Sequence, residues 1–124
     1  MANLNRNCAP RRHAWLMTDA RIGDALLPTL LALPPGAGVV FRHYDVPRAE
    51  RHRLFLRVRR LAQARGLRIS VAGGLPGAGA HNGRRALTHA AHAHREAVAA
   101  MRAGAAWLFV SPLFATRSHV GATP

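Results

Sequence analysis

The chain has 124 residues, room for one domain with a real core, and its 49% hydrophobic content excludes a disordered composition. One cysteine, Cys8, excludes an internal disulfide framework, and no apolar run reaches the roughly 18 residues that would span a bilayer. With no signal-peptide pattern in the first thirteen residues, the expectation is a soluble cytoplasmic protein that does not engage a membrane.

Eighteen basic residues face five acidic ones, a formal charge of +13, and every basic residue is arginine. Two readings fit. Arginine contacts phosphate well, so a polyanion such as RNA is one partner class. A coding composition drifting toward Arg, Ala, Gly and Pro produces the same excess without a partner. The densest cluster, "RAERHRLFLRVRRLAQARG", is also an amphipathic helix whose solvent face must hold charge.

Residues 1–12 read as a disordered basic leader and residues 13–124 as one domain. "HAWLMTD" (13–19) is a short apolar strand ending in a polar pair. Asp24 is placed to cap a helix through "ALLPTLLAL", with Pro28 near its first turn. "PPGAG" breaks the chain, and "VVFRHY" (39–44) is β-branched and aromatic, hence a strand. A second helix is expected over about 48–65, with Leu54, Val58, Leu61 and Arg65 on one stripe and Gly66 as its stop. "LRISVAG" (67–73) reads as a third strand. The glycine-rich "GLPGAGAHNGRRALTHAA" lacks helical period and could hold two further strands. A helix over about 92–103 follows, with Val98 and Met101 on one face and Gly104 as stop. Trp107 to Val110 is a run of apolar residues of the buried-strand type. The alternation predicts an α/β fold with a parallel sheet.

In order and spacing, "WLMTD", "VVFRHY", "GAHNGR" and "THAAHAHREAVAAMRAGAAWLFVSPLFATRSHVG" resemble the thiamine phosphate synthase family, which includes thiazole tautomerases. The resemblance runs from about Trp15 to Gly121. The most specific segment is Ser111 to His119, similar to the family's G-P-x-F-x-T-x-[TS]-K loop. The resemblance implies a TIM-type (β/α)8 barrel with its site at the carboxyl ends of the strands. Against that pattern the chain is an incomplete barrel of about six parallel strands with flanking helices. It has an internal deletion between strands three and four and lacks strands seven and eight. Its exposed edge strands would offer a route to homo-oligomers.

The resemblance also implies a function. The family couples a pyrimidine-methyl diphosphate to a thiazole phosphate and releases diphosphate, so small phosphorylated substrates are expected. Arg42 matches the arginine of V-Q-L-R-x-K and would bind phosphate. Thr116 and Ser118 match the phosphate-loop hydroxyls, with His119 where the family usually has lysine. His92 matches the histidine of S-x-H-S-x-x-E and resembles the tautomerase acid/base. Mg²⁺ is expected from the family, but its carboxylate positions are Ala72-Gly73 and Arg84-Arg85 here, so no metal ligand is assigned. Two alternatives stand beside the synthase: a metal-free tautomerase using His92, and a non-catalytic basic module that binds RNA. On pattern alone, Arg42 could also be a solvated strand-end arginine, and His92 a helix-start residue with a local hydrogen bond. The H-x2-H-x-H spacing of His89, His92 and His94 is not a structural zinc pattern.

Overall fold

The computed structural model describes residues 14–112. The proposed leader and the residues Thr116, Ser118 and His119 therefore lie outside the described residues. The order is β1 (Trp15–Met17), a 3₁₀ segment (Ala20–Ala25), α1 (Leu26–Ala32), β2 (Gly38–Phe41), α2 (Arg48–Arg65), β3 (Arg68–Val71), β4 (Gly79–Ala80), β5 (Thr88–Ala91), α3 (His94–Arg102) and β6 (Trp107–Val110). Every pairing is parallel: β1-β2-β3-β4 form one sheet and β5-β6 a second. A parallel bridge between His81 and Thr88 joins the two. Among the described residues the fold is thus α/β with parallel strands and three α-helices, as the alternation predicts, and both strands suspected in the glycine-rich stretch exist.

Strand register sorts the side chains. Trp15, Gly38 and Arg68 are aligned, and so are Leu16, Val39 and Ile69; the pleat sends the two rows to opposite faces. The second row, with Phe41 and Val71, packs against Leu26 and Leu30 of α1 and Phe55, Val58 and Ala62 of α2 to form the main core. Val40 has no exposed surface yet lies outside that cluster, because the other face is covered as well. There the Trp15 ring centroid lies 5.3 Å from both Trp107 and Phe109 of β6. Six strands side by side in a flat sheet would hold β1 and β6 about 24 Å apart. The ring contacts therefore require strong curling, with Trp15, Val40, Trp107 and Phe109 on the inner, concave side.

α2 spans the expected residues, but its buried stripe is turned. Phe55, Val58 and Ala62 are fully buried, whereas Leu54 and Leu61 flank the core and Arg65 reaches out to the Leu31 carbonyl at 2.8 Å. Phe55 offers the largest apolar area on the helix, and its ring lies 5.4 Å from that of Phe41, which sets the rotation. Gly66 ends the helix in left-handed geometry, φ 67°, with its N–H on the Ala62 and Gln63 carbonyls. Other details differ from expectation. Asp19, not Asp24, caps the first helical turn, accepting from the Arg21 N–H, and α1 starts without a side-chain cap. α3 begins at His94, and Met101 on it is 67% exposed. β6 is only half-buried because among the described residues it pairs on one side alone.

The connections around β4 explain how parallel strands can follow one another without helices. β4 has two residues, so the chain has little length to retrace. Residues 72–78 make the return with positive φ at Gly73, Gly74 and Gly77, which only glycine adopts freely. Leu75 from this loop is buried in the main core and fills space that a crossover helix would otherwise cover. Arg51 of α2 is drawn under the same loop: it is 7% exposed, donates to the Gly73 carbonyl at 2.9 Å, and leaves its Nε–H without a partner among the described residues.

Candidate functional site

All strands run the same way, so their carboxyl ends gather at one rim. Thr18 follows β1, Arg42 and His43 follow β2, His81 and Asn82 follow β4, His92 follows β5 and Ser111 follows β6. Arg42 lies two residues beyond Val40, and the pleat carries it to the concave side. Thr18 fixes it twice: the Arg42 N–H donates to Thr18 Oγ1 at 3.1 Å and its Nε–H donates to the Thr18 carbonyl at 3.0 Å. The side chain keeps 30% of its surface exposed. Its one carboxylate partner among the described residues is Asp19, at 3.9 Å, and that carboxylate is engaged more closely by Arg21 at 3.0 Å. Hydrogen bonds from Arg21 hold the Asp19 carboxyl below the usual carboxylate range, with Arg42 adding a smaller pull. Arg42 therefore presents a positioned, incompletely neutralised guanidinium at the rim.

Two polar clusters beneath it rest on threonines. Thr18 Oγ1 lies 2.9 Å from Nδ1 of His43, and Thr88 Oγ1 lies 2.8 Å from Nδ1 of His81 and 2.7 Å from Ser70 Oγ. All five side chains are buried. Burial pushes the pKa of both histidines down; Asp19 partly opposes this at His43, whereas Arg42 and His89 add to it at His81. Both imidazoles are consequently neutral near pH 7, able to orient hydroxyls and accept a proton only at cost. His81 lies two residues beyond Gly79, which pairs with Ser70, and its ring is 6.3 Å from that of Phe109 on the concave side.

A pH dependence follows. An unfolded histidine titrates near pH 6.5, and the folded-state values of His43 and His81 lie lower. Above about pH 6.5 both states are neutral at these positions and the stability is fully present. As the pH falls, the unfolded chain takes up protons first, so stability is lost down through the folded pKa values. Urea midpoints should hold level above neutrality and decline below about pH 6.5, with a shallower decline in a His43→Asn, His81→Asn double variant. A midpoint that rises over the same acidification would contradict this assignment.

His92 is exposed at the start of the α3 connection. Its backbone N–H donates to Glu96 Oε2 at 2.7 Å, and its Nδ1 lies 2.8 Å from the Ser111 carbonyl. Since a carbonyl can only accept, Nδ1 carries the proton, which assigns the ring's lone pair to Nε2 when neutral. Arg42 and His92 thus share the rim, on strands two and five. His89 is half-buried and bonded to the Ala90 carbonyl, while His94 is exposed, so the three histidines do not converge. Among the described residues no three His, Cys, Asp or Glu side chains are grouped to hold a metal ion. The residues present do not fit Mg²⁺: Ala72, Gly73, Arg84 and Arg85 supply no carboxylate, and both Asp19 oxygens are hydrogen-bonded to Arg21. No described helix is long and apolar enough to cross a membrane.

Thr18, Ser70, His81 and Thr88 carry polar roles that the sequence reading did not assign. His81 sits inside the "GAHNGR" motif itself; two-residue alternation through Gly79 would have pointed it inward. Ser70 and Thr88, isolated hydroxyls on buried strands, were the available signal for a polar network. Comparison of the chain with protein-family models, with curated proteins and with solved structures finds no match.

Proposed function

We propose that this chain binds a small phosphate ester at the carboxyl rim of an incomplete TIM-type barrel, in the manner of thiamine phosphate synthases, with thiazole phosphate as its ligand. Six parallel strands in sequential order and a sheet curled enough to bring Trp15 onto Trp107 support the barrel reading. The observation that carries the function is Arg42: a guanidinium held by Thr18 on the concave side, whose one near carboxylate among the described residues, Asp19, is shared with Arg21. Arginine's planar fork suits phosphate oxygens.

In the coupling reaction Arg42 would steady negative charge on the departing diphosphate. No step is assigned to Mg²⁺, since its ligands are lacking. That same deficit favours a second reading, a metal-free thiazole tautomerase. Its proton would move at the His92 imidazole, whose Nδ1 lies 2.8 Å from the Ser111 carbonyl.

Calorimetric titration with thiazole phosphate tests the binding. Arg42→Ala should weaken it about 10- to 100-fold, the range for losing charge-assisted hydrogen bonds, and added Mg²⁺ should leave the affinity unchanged. Undiminished affinity in Arg42→Ala, or binding only with Mg²⁺, would overturn the assignment.

A further inference from the structure

The helix-covered side of the sheet carries a cleft. It lies between the 3₁₀ segment after β1 and the first half of α2, with a volume of about 440 Å³. Val46 and Leu54 give it an apolar lining, and His43, Glu50, Arg53 and Arg57 supply polar groups. That volume falls in the range of small-molecule pockets, and an apolar lining with a few polar groups is their usual composition.

Two further features single it out. Arg53 and Arg57 are one helical turn apart on the same face of α2, with Glu50 one turn earlier. None of the three forms an ion pair or side-chain hydrogen bond among the described residues. At the inner end His43 is 3% exposed and has φ 36°, a left-handed backbone that non-glycine residues rarely adopt. Residues held in such conformations cluster at ligand sites. The Thr18 hydroxyl and the Phe41 ring, stacked 4.7 Å away, hold the imidazole in place.

We propose that this cleft is a second ligand site, built for a small carboxylate with an apolar body. The apolar part would rest on Val46 and Leu54 and the carboxylate would meet Arg53 and Arg57. Two guanidiniums beside one carboxylate leave a single net positive charge, which matches a monoanion and disfavours a phosphate dianion. The site is distinct from the concave rim: Arg42 is not among its lining residues, and its arginines belong to α2, on the helix-covered face of the sheet.

The test is a titration of the full chain with benzoate and with phenyl phosphate, followed by backbone amide shifts. Benzoate should move the Val46 and Leu54 amides and bind more tightly than phenyl phosphate. Arg57→Ala should weaken benzoate about 2- to 5-fold, as for a solvent-exposed ion pair. Glu50→Gln should strengthen binding and turn the preference toward phenyl phosphate, and Arg42→Ala should change nothing. Arg57 is exposed, so folding is not at stake, and Arg57→Lys should recover part of the affinity. No shift at Val46 and Leu54 with saturating benzoate would overturn the proposal, as would equal losses in Arg42→Ala and Arg57→Ala.

Discussion

Phe55→Ala is expected to lower the unfolding free energy by about 3–5 kcal/mol, the span for truncating a buried phenylalanine. The side chain has no exposed surface, sits against the Phe41 ring, and belongs to the main core with Val39, Val58 and Val71. Its neighbours on the third side are the glycine loop residues near Gly77. That loop replaces a helix and has few apolar groups with which to refill a cavity, so relaxation should be small and the loss should fall high in the range. A domain of this size holds roughly 5–15 kcal/mol in total, so the loss would remove a large fraction of its stability. Urea denaturation followed by circular dichroism measures the change. A loss under about 1.5 kcal/mol, the level of a tolerated core swap, would mean that Phe55 is not the keystone of the helix-covered face.

The concave face has its own sensitive position. A Cβ placed on Gly38 would overlap the Trp15 indole, and Gly38 is fully enclosed. Gly38→Ala must therefore displace Trp15 from Trp107 and Phe109. The expected loss is about 2–3 kcal/mol, the upper part of the range for overpacking, with a change in tryptophan emission. The cause can be isolated by a double-mutant cycle. In a Trp15→Ala background the same alanine meets no ring, and its effect should shrink to a few tenths of a kcal/mol. If Gly38→Ala is equally damaging in both backgrounds, the close approach of Trp15 is not its reason.

Much of the architecture was legible because it rests on local signals. Gly66 and the apolar period located α2, and the β-branched run at Val39-Val40 located β2. The rotation of α2 was less so: Leu54 and Leu61 match Phe55 in apolar character, and only the position of Phe41 beneath the helix decides between them. The curl of the sheet was invisible in the residues, since Trp15 and Trp107 are far apart in sequence and meet only after every strand is in place. Motif matches pointed to Arg42 and His92, which the structure puts at the carboxyl ends of β2 and β5. The threonines were not assigned, because an isolated hydroxyl on a buried strand does not say which group it will position. Only the resemblance puts the family's carboxylate positions at Ala72-Gly73 and Arg84-Arg85, and both oxygens of Asp19 are hydrogen-bonded to Arg21.

If a phosphate ester binds at the concave rim, adding thiazole phosphate to the full chain should give saturable backbone amide shifts clustered at Thr18, Arg42, His81, Asn82 and His92, abolished together by Arg42→Ala. Shifts confined to the arginine face of α2, at Arg53, Arg57 and Arg60, would contradict it and favour a polyanion-binding surface, whose affinity should fall steeply with salt.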